Sequence, residues 1–226
     1  MAIRIIFKNV PLTGDKFRKI VAANADSLGL AINKAIFNYD ENGSIKSTSP
    51  IRWGGNNKSV WLNAITDEAE SLALTQTKII SQCLVPFTGH VTAIQLYEIT
   101  NAVTLLPYSI DYTILNMVVD LPKSHQGKDD VELYLLEQLP TKIAQSFERQ
   151  SAQLGLNIPD AMKSPDIVDY VTLEKITPVK IKPNANTYQM AVTFKVGIRA
   201  KIGSAWAVGR LLSRGHGQII RSKTRA

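Results

Sequence analysis

The order in which apolar alternation and helical periodicity follow one another restricts this chain more than any other feature. IRIIFKNV (3–10) alternates around β-branched residues and predicts a strand. After PLTG, residues 15–39 place Phe17, Ile20, Val21, Leu28, Ile32, Ile36 and Phe37 on one helical face, with a break at Gly29. DENGS reads as a turn. SIKSTSPIRW and KSVWLNAIT predict two strands joined by GGNN, a hairpin signal. Residues 66–84 open with Thr66 or Asp67 as a helix N-cap and carry acidic residues in the first turn, where the helix dipole favours them. Residues 89–106 supply one long strand or a bent pair.

That order, β-α-β-β-α-β, is the ferredoxin-like (RRM-like) arrangement. A second copy is readable after Pro107. SIDYTILNMVVDLP (109–122) predicts a strand, and residues 129–156 a long helical region interrupted at Pro140. Residues 167–182 and 187–203 predict two strands around the PNAN turn, and QIIR closes the chain as a short strand. The second helix is missing from this copy unless Leu211, Leu212 and Ser213 make a single turn. The expected class is therefore α+β. Two tandem ferredoxin-like domains, 1–106 and 107–226, are expected, the second carrying a glycine-rich loop at 207–217.

Charge is divided between the ends. Of the 26 basic residues eleven fall after Glu174, a stretch with no Asp or Glu; the other fifteen share residues 1–174 with all 19 acidic ones. A surface built only for solubility mixes its signs. A carboxylate-free quarter instead suits a polyanion, whose counterions it would release on binding. In AVGRLLSRGHGQIIRSKTRA (207–226), Gly209, Gly215 and Gly217 stand among Arg210, Arg214 and His216. Glycine lets a ligand approach the backbone, and the arginine fork matches phosphate oxygens. The single cysteine, Cys83, excludes an internal disulfide. No apolar run approaches the ~20 residues of a membrane span, so no membrane partner is expected and cytoplasmic residence is the default.

This C-terminal segment resembles the glycine-rich loop of the RAMP superfamily of CRISPR-associated proteins. That loop is Gly-apolar-Gly, about five residues that include basic ones, then Gly-aromatic-Gly. Ala207-Val208-Gly209, Arg210 to Arg214 and Gly215-His216-Gly217 follow its spacing, with Ala207 in place of the first glycine and His216 in place of the aromatic residue. SPIRWGGNN (49–57) followed by an apolar strand is similar to the repeat-processing endoribonucleases of that superfamily, and to their type IV branch. The resemblance implies tandem ferredoxin-like domains that recognise a CRISPR repeat hairpin. It implies cleavage at the hairpin's 3′ base without a metal or other cofactor, and retention of the CRISPR RNA in an effector complex with other subunits. The alternative is a superfamily subunit that binds guide RNA without cutting it.

Metal-free RNA cleavage needs a base for the 2′-hydroxyl, an acid for the 5′-oxygen and a cation for the phosphorane. The catalytic histidine implied by the resemblance lies on or just after the first helix, but residues 15–39 contain none. Cationic stabilisation by Arg18 and Lys34, with Tyr39 beside them, is expected instead. Of the three histidines, His125 reads as a solvated loop residue, His90 as the structural start of a strand, and His216 either as a stacking or phosphate contact or as a residue packed within its loop. Arg210, Arg214, Arg221, Lys223 and Arg225 are expected phosphate contacts, and Arg52 is expected to help hold RNA. Trp206 is a candidate stacking platform, as are Trp53 and Trp61, although Trp61 fits a core position. Lys142 and Arg149 read as parts of a solvated helix face.

Overall fold

The structure, a computed structural model, describes residues 2–39, 49–122, 128–179 and 188–222. His125, Lys223, Arg225, the DENGS and PNAN turns and the start of SIKSTSPIRW lie outside the described residues. The chain forms two compact units. The first is Met1–Asn101 together with Leu212–Gly215, and the second is Ala102–Leu211 with His216–Ala226.

In the first unit β1 (Ala2–Lys8), α1 (Gly14–Ser27), β2 (Ile51–Gly55), β3 (Ser59–Ala64), α2 (Asp67–Thr88) and β4 (Ile94–Ile99) follow the expected order. The antiparallel sheet runs β2-β3-β1-β4. Alternation sends Ile3, Ile5 and Phe7 of β1 and Val60 and Leu62 of β3 into a core closed by Phe17 and Val21 of α1 and Ile80 and Leu84 of α2. Thr13 caps α1 by accepting from the Lys16 N–H at 3.4 Å, and Thr66 caps α2 by accepting from the Ala69 N–H at 3.3 Å. The first helix is shorter than the apolar spacing suggests. Leu28 caps it, and Gly29 at φ +62° turns the chain away. The apolar residues beyond reach the core through a separate 3₁₀ turn, Lys34–Phe37.

The second unit repeats the order with β5 (Val103–Leu121), α3 (Lys128–Leu154), β6 (Val168–Pro178), β7 (Tyr188–Ile202) and β8 (Gln218–Arg221), sheet order β6-β7-β5-β8. β5 starts before Pro107, so one strand runs through the expected division at 106/107. α3 continues through Pro140 without a break and buries Leu135, Leu139, Ile143 and Phe147 on the sheet. Between β7 and β8 no second α-helix forms; the 3₁₀ turn found there, Leu212–Arg214, belongs to the first unit. Among the described residues no helix is long and apolar enough to cross a membrane.

Candidate functional site

Arg18, Lys34 and Tyr39 belong to the first unit, around the 3₁₀ turn Lys34–Phe37. That turn leaves carbonyls without intrahelical partners, and side chains from other elements take them. Arg18 Nη2 donates to the Phe37 carbonyl at 3.1 Å, and Trp53 Nε1 donates to the Ile36 carbonyl at 3.2 Å. Asn38, buried and left-handed at φ +60°, donates from Nδ2 to the Ile51 carbonyl at 2.8 Å and so ties the turn to β2. The Arg18 guanidinium carbon stands 5.5 Å from the Phe37 ring centre and 5.7 Å from that of Tyr39. Its Nε is buried without a hydrogen-bond partner. Lys34, first residue of the turn, is exposed. Arg18 and Tyr39 are thus brought together by the fold, with Lys34 on the same short segment.

In the first unit the 3₁₀ turn carrying Arg214 packs backbone to backbone. A Cβ at Gly215 would lie 2.3 Å from the Trp53 carbonyl oxygen, and one at Gly14, the first residue of α1, 3.0 Å from the Arg214 oxygen. Only glycine fits such an approach. Arg214 itself is half-buried.

In the second unit the glycine-rich segment follows the free length of β5. β8 pairs with Tyr112–Leu115, and β5 then shifts register between Ile114 and Met117, where Asn116 takes φ +52°. Past β8's last pairing the loop takes over. The Gly217 N–H donates to the Leu115 carbonyl at 2.9 Å, His216 Nδ1 lies 3.1 Å from the Asn116 carbonyl, and the Arg210 N–H donates to the Val118 carbonyl at 3.2 Å. A carbonyl only accepts, so Nδ1 of His216 is its protonated nitrogen. Arg210 is exposed and ion-paired with Asp120; Arg221 is exposed on β8.

Several expectations change. Arg52 is 5% exposed, and its Nε donates to the Ser49 carbonyl at 3.3 Å. Burial pushes its pKa down to about 9, so it is a fold residue and not one presented to a polyanion. Trp206 is 3% exposed and meets Phe147 edge to face at 5.3 Å, which makes it core and not a stacking platform. Trp53 is buried between Phe17 and Phe37. Trp61, expected in the core, is half-buried with Arg4 over its ring at 5.5 Å. Gly209 and Gly217 are buried and set backbone geometry. His90 lies in the coil ahead of β4 instead of opening it.

Sequence reasoning missed Ser146 and Gln150 as partners of the loop and read Arg149 only as part of a solvated helix face. Arg149 donates from Nη2 to the Gly209 carbonyl at 3.4 Å, and Ser146 and Gln150 beside it are buried against the same loop. Polar residues four apart on the face that carries Leu139, Ile143 and Phe147 were the available signal.

No curated protein matches this sequence. Among solved structures, the chain is similar to "Csf5, CRISPR-Cas type IV Cas6 crRNA endonuclease", with TM-score 0.76, 15% identity and coverage of 99% of this chain and 100% of that one. It is also similar to a crystal structure of Cas6b, with TM-score 0.61, 17% identity and coverage of 98% and 100%. A second Cas6b, titled a CRISPR RNA processing endoribonuclease, gives TM-score 0.55 and 16% identity, with coverage of 98% and 100%. At these identities the likeness establishes the fold. Residues 4–224 match the model of the type IV CRISPR-associated endonuclease Csf5, and the chain belongs to that family.

Proposed function

We propose that this chain binds the hairpin of a CRISPR repeat and cleaves precursor CRISPR RNA without a metal ion. The 2′-hydroxyl of the nucleotide before the scissile bond loses its proton and attacks the adjacent phosphorus. The P–O5′ bond then breaks, and the 5′-oxygen takes up a proton, leaving 2′,3′-cyclic phosphate and 5′-hydroxyl ends. Arg18 and Lys34 supply positive charge to the phosphorane's equatorial oxygens, and the Tyr39 hydroxyl stands beside them as a hydrogen-bond donor. Arg210, Arg214, Arg221 and His216 hold the RNA backbone, with Lys223 as a further contact. The mature guide stays bound and joins other CRISPR-associated subunits in a ribonucleoprotein.

The observation that carries this reading is the placement of Arg18. Its guanidinium, reaching from α1, is fixed by the Phe37 carbonyl and two aromatic rings, which preorganises a cation beside the segment that bears Lys34 and Tyr39. The test is incubation with the repeat hairpin encoded nearest the gene, in EDTA, followed by analysis of the RNA ends. Cyclic phosphate and 5′-hydroxyl ends are expected. Cleavage that returns only on adding a divalent metal refutes the metal-free route, and RNA bound but left intact in both conditions identifies a guide-binding subunit.

A further inference from the structure

Gly209 and its neighbours are held from two sides. On one side is β5, through the Val118 carbonyl. On the other is one face of α3. Ser146 Oγ accepts from the Gly209 N–H at 2.8 Å, and Gln150 Nε2 donates to the Ala207 carbonyl at 2.6 Å. The same Nε2 stands 3.2 Å from Ser146 Oγ, so the two side chains are coupled to each other as well as to the loop. Ser146 is fully buried and Gln150 is 4% exposed, so water cannot replace either bond. From Exposed Arg149, a third and longer bond reaches the Gly209 carbonyl at 3.4 Å.

These bonds fall where the backbone most needs support. Gly209 has φ +93° and Leu211 has φ +56°, leaving Arg210 between two left-handed residues. A bulky residue such as leucine resists that region, and the surroundings must hold it there. The Gly209 backbone sets where the Arg210 side chain leaves the loop, and its guanidinium pairs with Asp120. We propose that Ser146 and Gln150 are positioning residues for RNA binding: from α3 they lock the Ala207–Gly209 backbone and thereby aim Arg210 at the RNA phosphates. The inference rests on the repeat-binding reading above and adds the side chains that set its geometry.

The experiment compares hairpin affinity over a series of KCl concentrations for wild type, S146A, R210A and the double variant, using the labelled repeat hairpin encoded nearest the gene. S146A leaves the buried Gly209 donor unpaired, and an approximately tenfold rise in Kd is expected. The salt dependence should flatten by about one phosphate's worth, the change also expected of R210A. The double variant should bind no worse than R210A alone, because both changes remove one contact. Additive losses, or an unchanged salt slope in S146A, would mean a merely structural serine and overturn the proposal. Wild-type behaviour of S146A beside a weakened R210A overturns it while leaving repeat binding intact. Failure of the wild type to prefer the hairpin over unrelated RNA removes the repeat-binding reading itself. If S146A does not fold, Q150M, of similar length and without the donor, carries the same expectations.

Discussion

Arg18 donates to the main chain of Phe37 across nineteen residues of sequence, and its guanidinium faces the Tyr39 ring at 5.7 Å. One side chain therefore both anchors the 3₁₀ turn and presents charge beside it. R18K keeps the charge but loses the planar fork. It is expected to slow single-turnover cleavage of the repeat hairpin about 100-fold with Kd changed less than about threefold. Equal losses of cleavage and binding would remove Arg18 from the chemistry.

Charge reversal of the loop arginines is expected to act on binding alone. R210E not only removes a cation; it sets a second carboxylate against Asp120, which now pairs with Arg210. R210E and R214E together should abolish the gel shift of the hairpin at physiological salt. Unchanged affinity would mean that the loop does not meet RNA.

Arg52 makes a prediction about pH. Burial lowers its folded pKa to about 9, well below its value in the unfolded chain. Below the folded pKa the native state keeps a proton that it binds more weakly than the unfolded chain does, which costs stability. As pH rises past 9 that proton leaves and the cost shrinks. The urea midpoint of wild type minus that of R52M should therefore rise between about pH 8 and pH 10.5. A flat difference would show that the guanidinium stays charged throughout.

Two left-handed glycines should respond differently to alanine. At Gly29, φ +62°, a Cβ meets nothing within 4 Å, so G29A costs only backbone strain of about 1 kcal/mol. At Gly217, φ +69°, the Cβ would fall 1.7 Å from the Val208 carbonyl oxygen, and the loop cannot keep its bond to Leu115. G217A should cost more than about 3 kcal/mol. Urea unfolding of the two variants side by side measures the contrast.

The element order was readable because strand alternation and helix periodicity are local signals, and the GGNN hairpin and the Thr66 cap lie where the sequence places them. What was not readable depends on distant partners. Trp206 follows a strand and borders a basic loop, and packing into the second core, against Phe147 59 residues away among others, makes it core. Arg52 alternates like a surface residue, yet the fold buries it. Pro140 predicts a break that the packing of Leu135, Leu139 and Ile143 overrides. For the site, the spacing of glycines and arginines in the loop located it, but the α3 side chains that fasten it lie some sixty residues upstream.

Four residues near the chain's end, Leu212–Gly215, complete the N-terminal unit, resting on the main chain of Gly14 and Trp53. During synthesis every helix and strand of the first sheet is made long before this piece exists. The first domain thus stays unfinished until most of the second has been made, and a fragment cut after Asn101 would be born without part of its own wall.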